Sequence, residues 1–236
     1  MTHIRAYLTL LFTVTFVTSP LFTSPFSGFR ADQLPIPQID PPIQPAGYAF
    51  AIWGLIYGWL VVSAVYGLWK RRGARAWDRV RLPLLISLAL GTPWLAVANV
   101  SPVWATVLIF AMAVPAIWAV LVAPRTDRYW LRAPVSIYAG WLTAAAFVSL
   151  GSTAAGHGLL MGALGWAYVG IIAALGVAVI TQWRSRAPGY GLTVIWALFA
   201  IIMANGIAPL GVSLLAGAGI AVMTVLTITT TGRPIS

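Results

Sequence analysis

Few residues in this chain could carry acid–base or metal chemistry. Of its 236 residues, 4 are acidic, and all are aspartates: Asp32, Asp40, Asp78 and Asp127. The only histidines are His3 and His157, and there is no cysteine. Paired carboxylates, thiolate nucleophiles, disulfides, iron–sulfur clusters and zinc–thiolate sites therefore lack raw material, and the expectation is a protein that is not an enzyme. His157, in Gly156-His157-Gly158, could ligate a haem axially, but a histidine between two glycines also reads as a solvated loop residue. What the chain has in excess is aromatic surface, including 12 Trp. Phe50, Trp53 and Tyr57 recur at i, i+3 and i+7 and so share a helix face; Tyr138 and Trp141 do the same at i and i+3. Ordinary helix packing and a shared ligand pocket are both open readings of these faces. Aromatic walls with few polar groups suit a flat, apolar ligand such as a tetrapyrrole or a sterol.

The elements that must position these rings follow from composition. Hydrophobic residues make up 60% of the chain and charged ones 8%, and the mean hydropathy is +0.90. A water-facing surface needs roughly a quarter of residues charged, so the solvent for most of this chain is lipid. Uncharged apolar stretches of membrane-crossing length run at 6–22, 47–69, 82–100, 102–123, 133–153, 159–183, 190–206 and 207–231. The expected fold is an all-α integral membrane protein of about eight transmembrane helices. With an inside N-terminus, the inner segments hold Arg5, Lys70, Arg71, Arg72, Arg75, Arg79, Arg81, Arg125, Arg128, Arg132, Arg184, Arg186 and Arg233, and the outer ones only Arg30. That split follows the positive-inside rule and puts both termini in the cytoplasm. A re-entrant hairpin broken at Asn205-Gly206-Ile207-Ala208-Pro209 would preserve the same parity.

The net charge of +10 is thus a topology signal. The run Lys70-Arg71-Arg72-Gly73-Ala74-Arg75 faces anionic head groups, and no nucleic-acid partner is expected. Trp69, Trp77, Trp130 and Trp183 adjoin the cationic loops, as interfacial anchors do. The first span reads as a retained helix rather than a cleaved signal peptide, because Thr18-Ser19-Pro20-Leu21-Phe22 offers no small-x-small cleavage site. Pro35, Pro37, Pro41, Pro42 and Pro45 then make the long loop after it an extended outer segment. Gly54-x-x-x-Gly58 and Gly158-x-x-x-Gly162, continued by Gly211, Gly217 and Gly219, fit close helix packing. Pro83, Pro93, Pro115 and Pro134 should kink or begin helices. No ionisable side chain falls within a span, which argues against proton-coupled transport.

Pro45-Ala46-Gly47-Tyr48-Ala49-Phe50-Ala51-Ile52-Trp53-Gly54-Leu55-Ile56-Tyr57 resembles the second helix of the TspO/MBR family, the tryptophan-rich sensory or translocator proteins. Arg132-Ala133-Pro134-Val135-Ser136-Ile137-Tyr138-Ala139-Gly140-Trp141, with Ala145, resembles the last core helix of that family, and Leu88-Ala89-Leu90 with Trp94 its third helix. Gly91 and Ser149 stand where the family pattern has Asn. The resemblance covers residues 1–153, read as a TspO-like five-helix core, with 154–236 as a three-helix C-terminal extension. It implies a pocket that binds porphyrins and other apolar ligands, lined here by Trp53, Tyr57, Trp94, Tyr138 and Trp141, with Phe50 on the same face as Trp53. No cofactor is required; a tetrapyrrole, porphyrin or haem, is the implied ligand.

The function expected is a multi-pass membrane protein that binds an apolar, porphyrin-like ligand for sensing, transport or disposal. A small-solute transporter and a non-catalytic assembly subunit are the alternatives. The expected partners are the lipid bilayer and an apolar small molecule, with a homodimer left open. Thirteen Arg against one Lys, with abundant Ala and Gly, suits a GC-rich bacterial genome and hence a bacterial inner membrane.

Overall fold

The computed structural model describes residues 2–231, so Arg233 lies outside the described residues. Among these the chain is helical with no strand: α1 Thr2–Thr18, α2 Ile52–Lys70, α3 Arg75–Gly91, α4 Trp94–Ala98, α5 Pro102–Val122, α6 Ala133–Gly156, α7 Ala163–Ser185, α8 Pro188–Asn205 and α9 Leu210–Thr231. A 3-10 turn at Gly47–Ala51 leads into α2, and a π-helical turn at Arg128–Arg132 leads into α6. Among the described residues, seven helical segments are long and apolar enough to cross a membrane: His3–Phe22, Gly47–Lys70, Pro102–Val122, Arg128–Gly156, Ala163–Ser185, Pro188–Asn205 and Leu210–Thr230. The protein is a multi-pass membrane protein.

The eighth stretch expected to cross, at 82–100, is not among these segments and is built differently. Helix α3 begins at Arg75, inside the charged run, and ends at Gly91; Thr92-Pro93 then breaks the chain before the short α4. Proline cannot continue a backbone hydrogen-bond ladder, which accounts for the break. The early start is possible because Arg81, although buried, has partners. Its guanidinium donates to the carbonyls of Gly67, Arg71 and Arg72 at 2.8 to 3.0 Å. These are carbonyls that the C-terminus of α2 leaves without helical partners, and a cation there also meets the negative end of the helix dipole. Arg132 does the same for two other helices, donating to Ala123 O after α5 and to Ser185 O at the end of α7.

Contacts gather the basic segments at one end of the bundle. Arg5 pairs with Asp78 at 2.9 Å, and Arg71 pairs with Asp127 at 3.0 Å. The Pro-rich segment lies at the other end, tied to three helices. Gln33 Nε2 donates to Ala98 O, Ile36 N to Gly156 O, and Asn205 Nδ2 to Pro42 O. Helices α8 and α9, of 18 and 22 residues, are each about the length of a crossing. They are separated by a turn at Gly206, whose φ of +57° suits a residue without a Cβ at a helix end.

Helix α6 is central: it packs against α2, α5, α7 and α8. Its boundary with the segment expected to start at residue 154 falls within the helix itself. Close approach of α6 and α8 depends on Gly140, where a Cβ would meet Tyr190 O at 2.8 Å. The spacing motifs behave otherwise. Gly54 and Gly58 lie on an exposed face of α2 with nothing near them, and Gly158 and Gly162 lie between α6 and α7. Trp69, Trp130 and Trp183 are exposed, as anchors are. Trp77 is not: it is 3% exposed, and its indole N–H donates to Asp127 Oδ2 at 2.7 Å. Its neighbours in sequence are charged, but its face of α3 is turned inward.

Candidate functional site: an aromatic cavity

Helix α6 presents one stripe to a cavity: Trp141, Ala144, Ala145, Val148, Ser149 and Ser152 all line it. The spacing of i, i+3, i+4, i+7, i+8 and i+11 is that of a single helix face. Opposite stand Phe50 of the 3-10 turn and Trp53 of α2, with Trp94 at the head of α4, Ile109 of α5, and Ala197 and Ile201 of α8. The Pro-rich segment covers the cavity, contributing Phe26, Gly28, Phe29, Gln44 and Pro45. Gly28 has φ +129°, a conformation that L side chains rarely adopt, and a Cβ there would also meet the Gln44 amide at 2.7 Å. That turn lets the rings of Phe26 and Phe29, 5.6 Å apart and edge-to-face, reach the same cavity.

The rings form a continuous cluster. Trp53 and Tyr57 stack at 5.2 Å, and the Trp141 ring meets Trp53 at 6.2 Å and Phe50 at 5.8 Å, both edge-to-face. Phe26 meets Trp94 at 5.1 Å and Phe50 at 6.4 Å. These are the separations and angles that the ring quadrupole favours. Phe16 of α1 lies at the base of the cluster, edge-to-face with Trp53, Tyr57 and Tyr138 at 5.4 to 5.9 Å.

The six residues singled out from sequence are thus all in or beside one cluster, but they divide. Phe50, Trp53, Trp94 and Trp141 line the cavity; Tyr57 and Tyr138 pack beneath it around Phe16. Tyr138 is fully buried, and its hydroxyl donates to Ser87 Oγ at 2.8 Å, which in turn donates to Met112 O at 2.8 Å. Sequence spacing does not reveal Phe16, Phe26 and Phe29, because a lone ring on α1 and two rings on an irregular loop have no periodicity to betray them.

The polar groups of the cavity are few. The Trp94 indole donates to Ala105 O at 3.0 Å. The Trp141 indole N–H and the Ser152 hydroxyl are buried and have no partner among the described residues. An unmade hydrogen bond at such a site costs about 1–3 kcal/mol, so two together on one helix face of one cavity call for an explanation. No histidine lines the cavity. His157 sits beyond the end of α6, exposed, with Nδ1 2.9 Å from Thr153 O. Among the described residues no three potential metal ligands cluster.

As it stands the cavity is about 40 Å³, room for one or two waters. Binding pockets for drug-sized ligands run to about 300–1,000 Å³, so a flat macrocycle does not fit the cavity without movement of its lining.

A family model described as TSPO-like protein matches residues 5–229. The match takes in the last three helices, including the α8 residues that line the cavity. No curated protein and no solved structure matches the chain significantly.

Proposed function

The chain belongs to the TSPO-like protein family, and from that premise we propose that its aromatic cavity binds an apolar, porphyrin-like ligand in the membrane, for sensing, transport or disposal. The observation that carries this reading is the pair of unpartnered groups, Trp141 Nε1 and Ser152 Oγ, on an otherwise aromatic and aliphatic wall. A flat ligand lies between the rings of Trp53, Trp141 and Phe50, and its peripheral acceptors take the two free protons. With no histidine on the wall, a tetrapyrrole is held by its faces and edges rather than through a central iron. The reading assigns the cavity a binding role and no catalytic step.

Titration of the purified protein with protoporphyrin tests the reading, using quenching of tryptophan fluorescence. Trp53→Ala and Trp141→Ala should each weaken binding about tenfold, the loss of a ring contact of roughly 1.4 kcal/mol. Unchanged affinity in both variants overturns the site. Uptake of small solutes into proteoliposomes without porphyrin binding would support a solute transporter instead.

A further inference from the structure

At the basic end of the bundle, away from the aromatic cavity, Arg125, Arg128, Arg132 and Arg186 line a second cavity of about 170 Å³ together with Pro188 and Thr230. At about 30 Å³ per water, that is room for several waters or for one phosphate group. The arginines come from separate segments. Arg125 and Arg128 follow α5, Arg132 ends the π-helical turn before α6, and Arg186 joins α7 to α8. Two of them are placed by particular means. Arg132 is 6% exposed and is fixed by its bonds to Ala123 O and Ser185 O. Arg186 has φ +54° and ψ 33°, the left-handed conformation that usually falls to Gly or Asn after a helix.

Among the described residues none of the four has a carboxylate partner. The ion pairs among the described residues are Arg5–Asp78, Arg30–Asp32 and Arg71–Asp127. Asp127, the acid nearest in sequence, is engaged by Arg71 and by Trp77. The first turn of α8, the positive end of its dipole, borders the same cavity at Pro188. Arg132 is buried, Arg186 partly so, and Arg125 and Arg128 are exposed; four like charges lining one cavity repel one another unless an anion joins them, and the guanidinium fork matches phosphate geometry. The exposed Trp130 and Trp183, which adjoin Arg132 and Arg184, put this end of the bundle at head-group depth.

We propose that the cavity formed by Arg125, Arg128, Arg132 and Arg186 is a binding site for a phosphate group, carried by an anionic lipid or free in solution. It is separate from the aromatic cavity, and it would stand if the porphyrin reading failed.

The test compares the protein with Arg128→Gln/Arg186→Gln, which leaves the helix-capping Arg132 in place. Arg75→Gln/Arg79→Gln serves as a control of equal charge loss outside the cavity. Each is reconstituted in nanodiscs of phosphatidylcholine with increasing phosphatidylglycerol, and separately titrated in detergent with inorganic phosphate and pyrophosphate. The readouts are the thermal midpoint and, by native mass spectrometry, the lipid retained. The unmodified protein should be stabilised and retain lipid. The cavity variant should require roughly fivefold more anion for each charge removed, and the control, which loses only diffuse attraction to the membrane surface, clearly less. Cavity-dependent stabilisation by phosphatidylglycerol alone assigns a lipid; stabilisation by phosphate or pyrophosphate alone assigns a free anion. No stabilisation by either, or equal loss in both double variants, overturns the proposal. Should the double variant fail to fold, the single Arg128→Gln, measured with the same two readouts, separates these outcomes.

Discussion

The ring of Phe16 lies where a side chain on Gly91 would be. A Cβ built on Gly91 would stand 2.7 Å from Cε2 of that ring and 2.9 Å from the methyl of Met112. Helix α1 therefore reaches the floor of the aromatic cluster because α3 ends in a residue with no side chain. Gly91→Ala should overpack this contact, push Phe16 against Trp53 and Tyr138, and lower stability by about 1–3 kcal/mol. Thermal unfolding in detergent measures it. A variant as stable as the parent would mean that the ring shifts freely.

Ser152 and Tyr138 should separate binding from packing. Ser152→Ala removes a hydroxyl that has no partner among the described residues, so stability should hold or rise by up to about 1 kcal/mol while protoporphyrin affinity falls roughly fivefold. Tyr138→Phe removes the hydroxyl that donates to Ser87. It should cost about 1 kcal/mol of stability and leave affinity unchanged, because Tyr138 does not line the cavity. Denaturation and fluorescence titration of both variants check the contrast; a reversed pattern would place the ligand elsewhere.

Asp127 ties the α5–α6 connection to α2 and α3 and should make stability depend on acid. Burial alone would raise its pKa, but hydrogen bonds from Arg71 and Trp77 and the charge of Arg71 outweigh it, and the carboxyl is held below its ordinary value of 3.8. A group whose pKa is depressed on folding contributes stability that is full above its unfolded value and is lost as pH falls through its folded value. Thermal midpoints taken downward from neutral pH should therefore show Asp127→Asn less stable than the parent at neutral pH. The gap should narrow only below about 3.8, and a gap independent of pH would remove the ion pair as its cause.

Much of the membrane architecture is legible in the placement of charge, because a charged side chain in lipid is costly and so marks where helices end. That rule misplaces α3. Asp78, Arg79 and Arg81 look like loop residues, yet they are helical because Arg81 finds its partners in the last carbonyls of α2. The same reasoning assigns Trp77 to the interface, since proximity in sequence to charge does not say which way a helix face is turned. Of the cavity, the rings on α2 and α6 are legible through helical spacing. Phe16 and the two loop rings are not, because what brings them in is the space at Gly91 and the turn at Gly28. Nor could spacing show that the Trp141 N–H and the Ser152 hydroxyl lack partners while the Trp94 N–H has one, since that depends on which carbonyl each proton meets. The Gly54/Gly58 spacing misleads for the complementary reason: small residues permit close packing, but no neighbour approaches that face of α2 in the chain.

Phe26 and Phe29 fill the cavity from a loop that is covalently part of the same chain. On the proposed reading they would compete with a ligand from within the same chain, at an effective concentration that dilution cannot change. The apparent dissociation constant is then the intrinsic one divided by the fraction of molecules whose rings have withdrawn. The grip of the loop on α4, α6 and α8 would thereby set the concentration at which the cavity half-fills, separately from the walls that would contact the ligand.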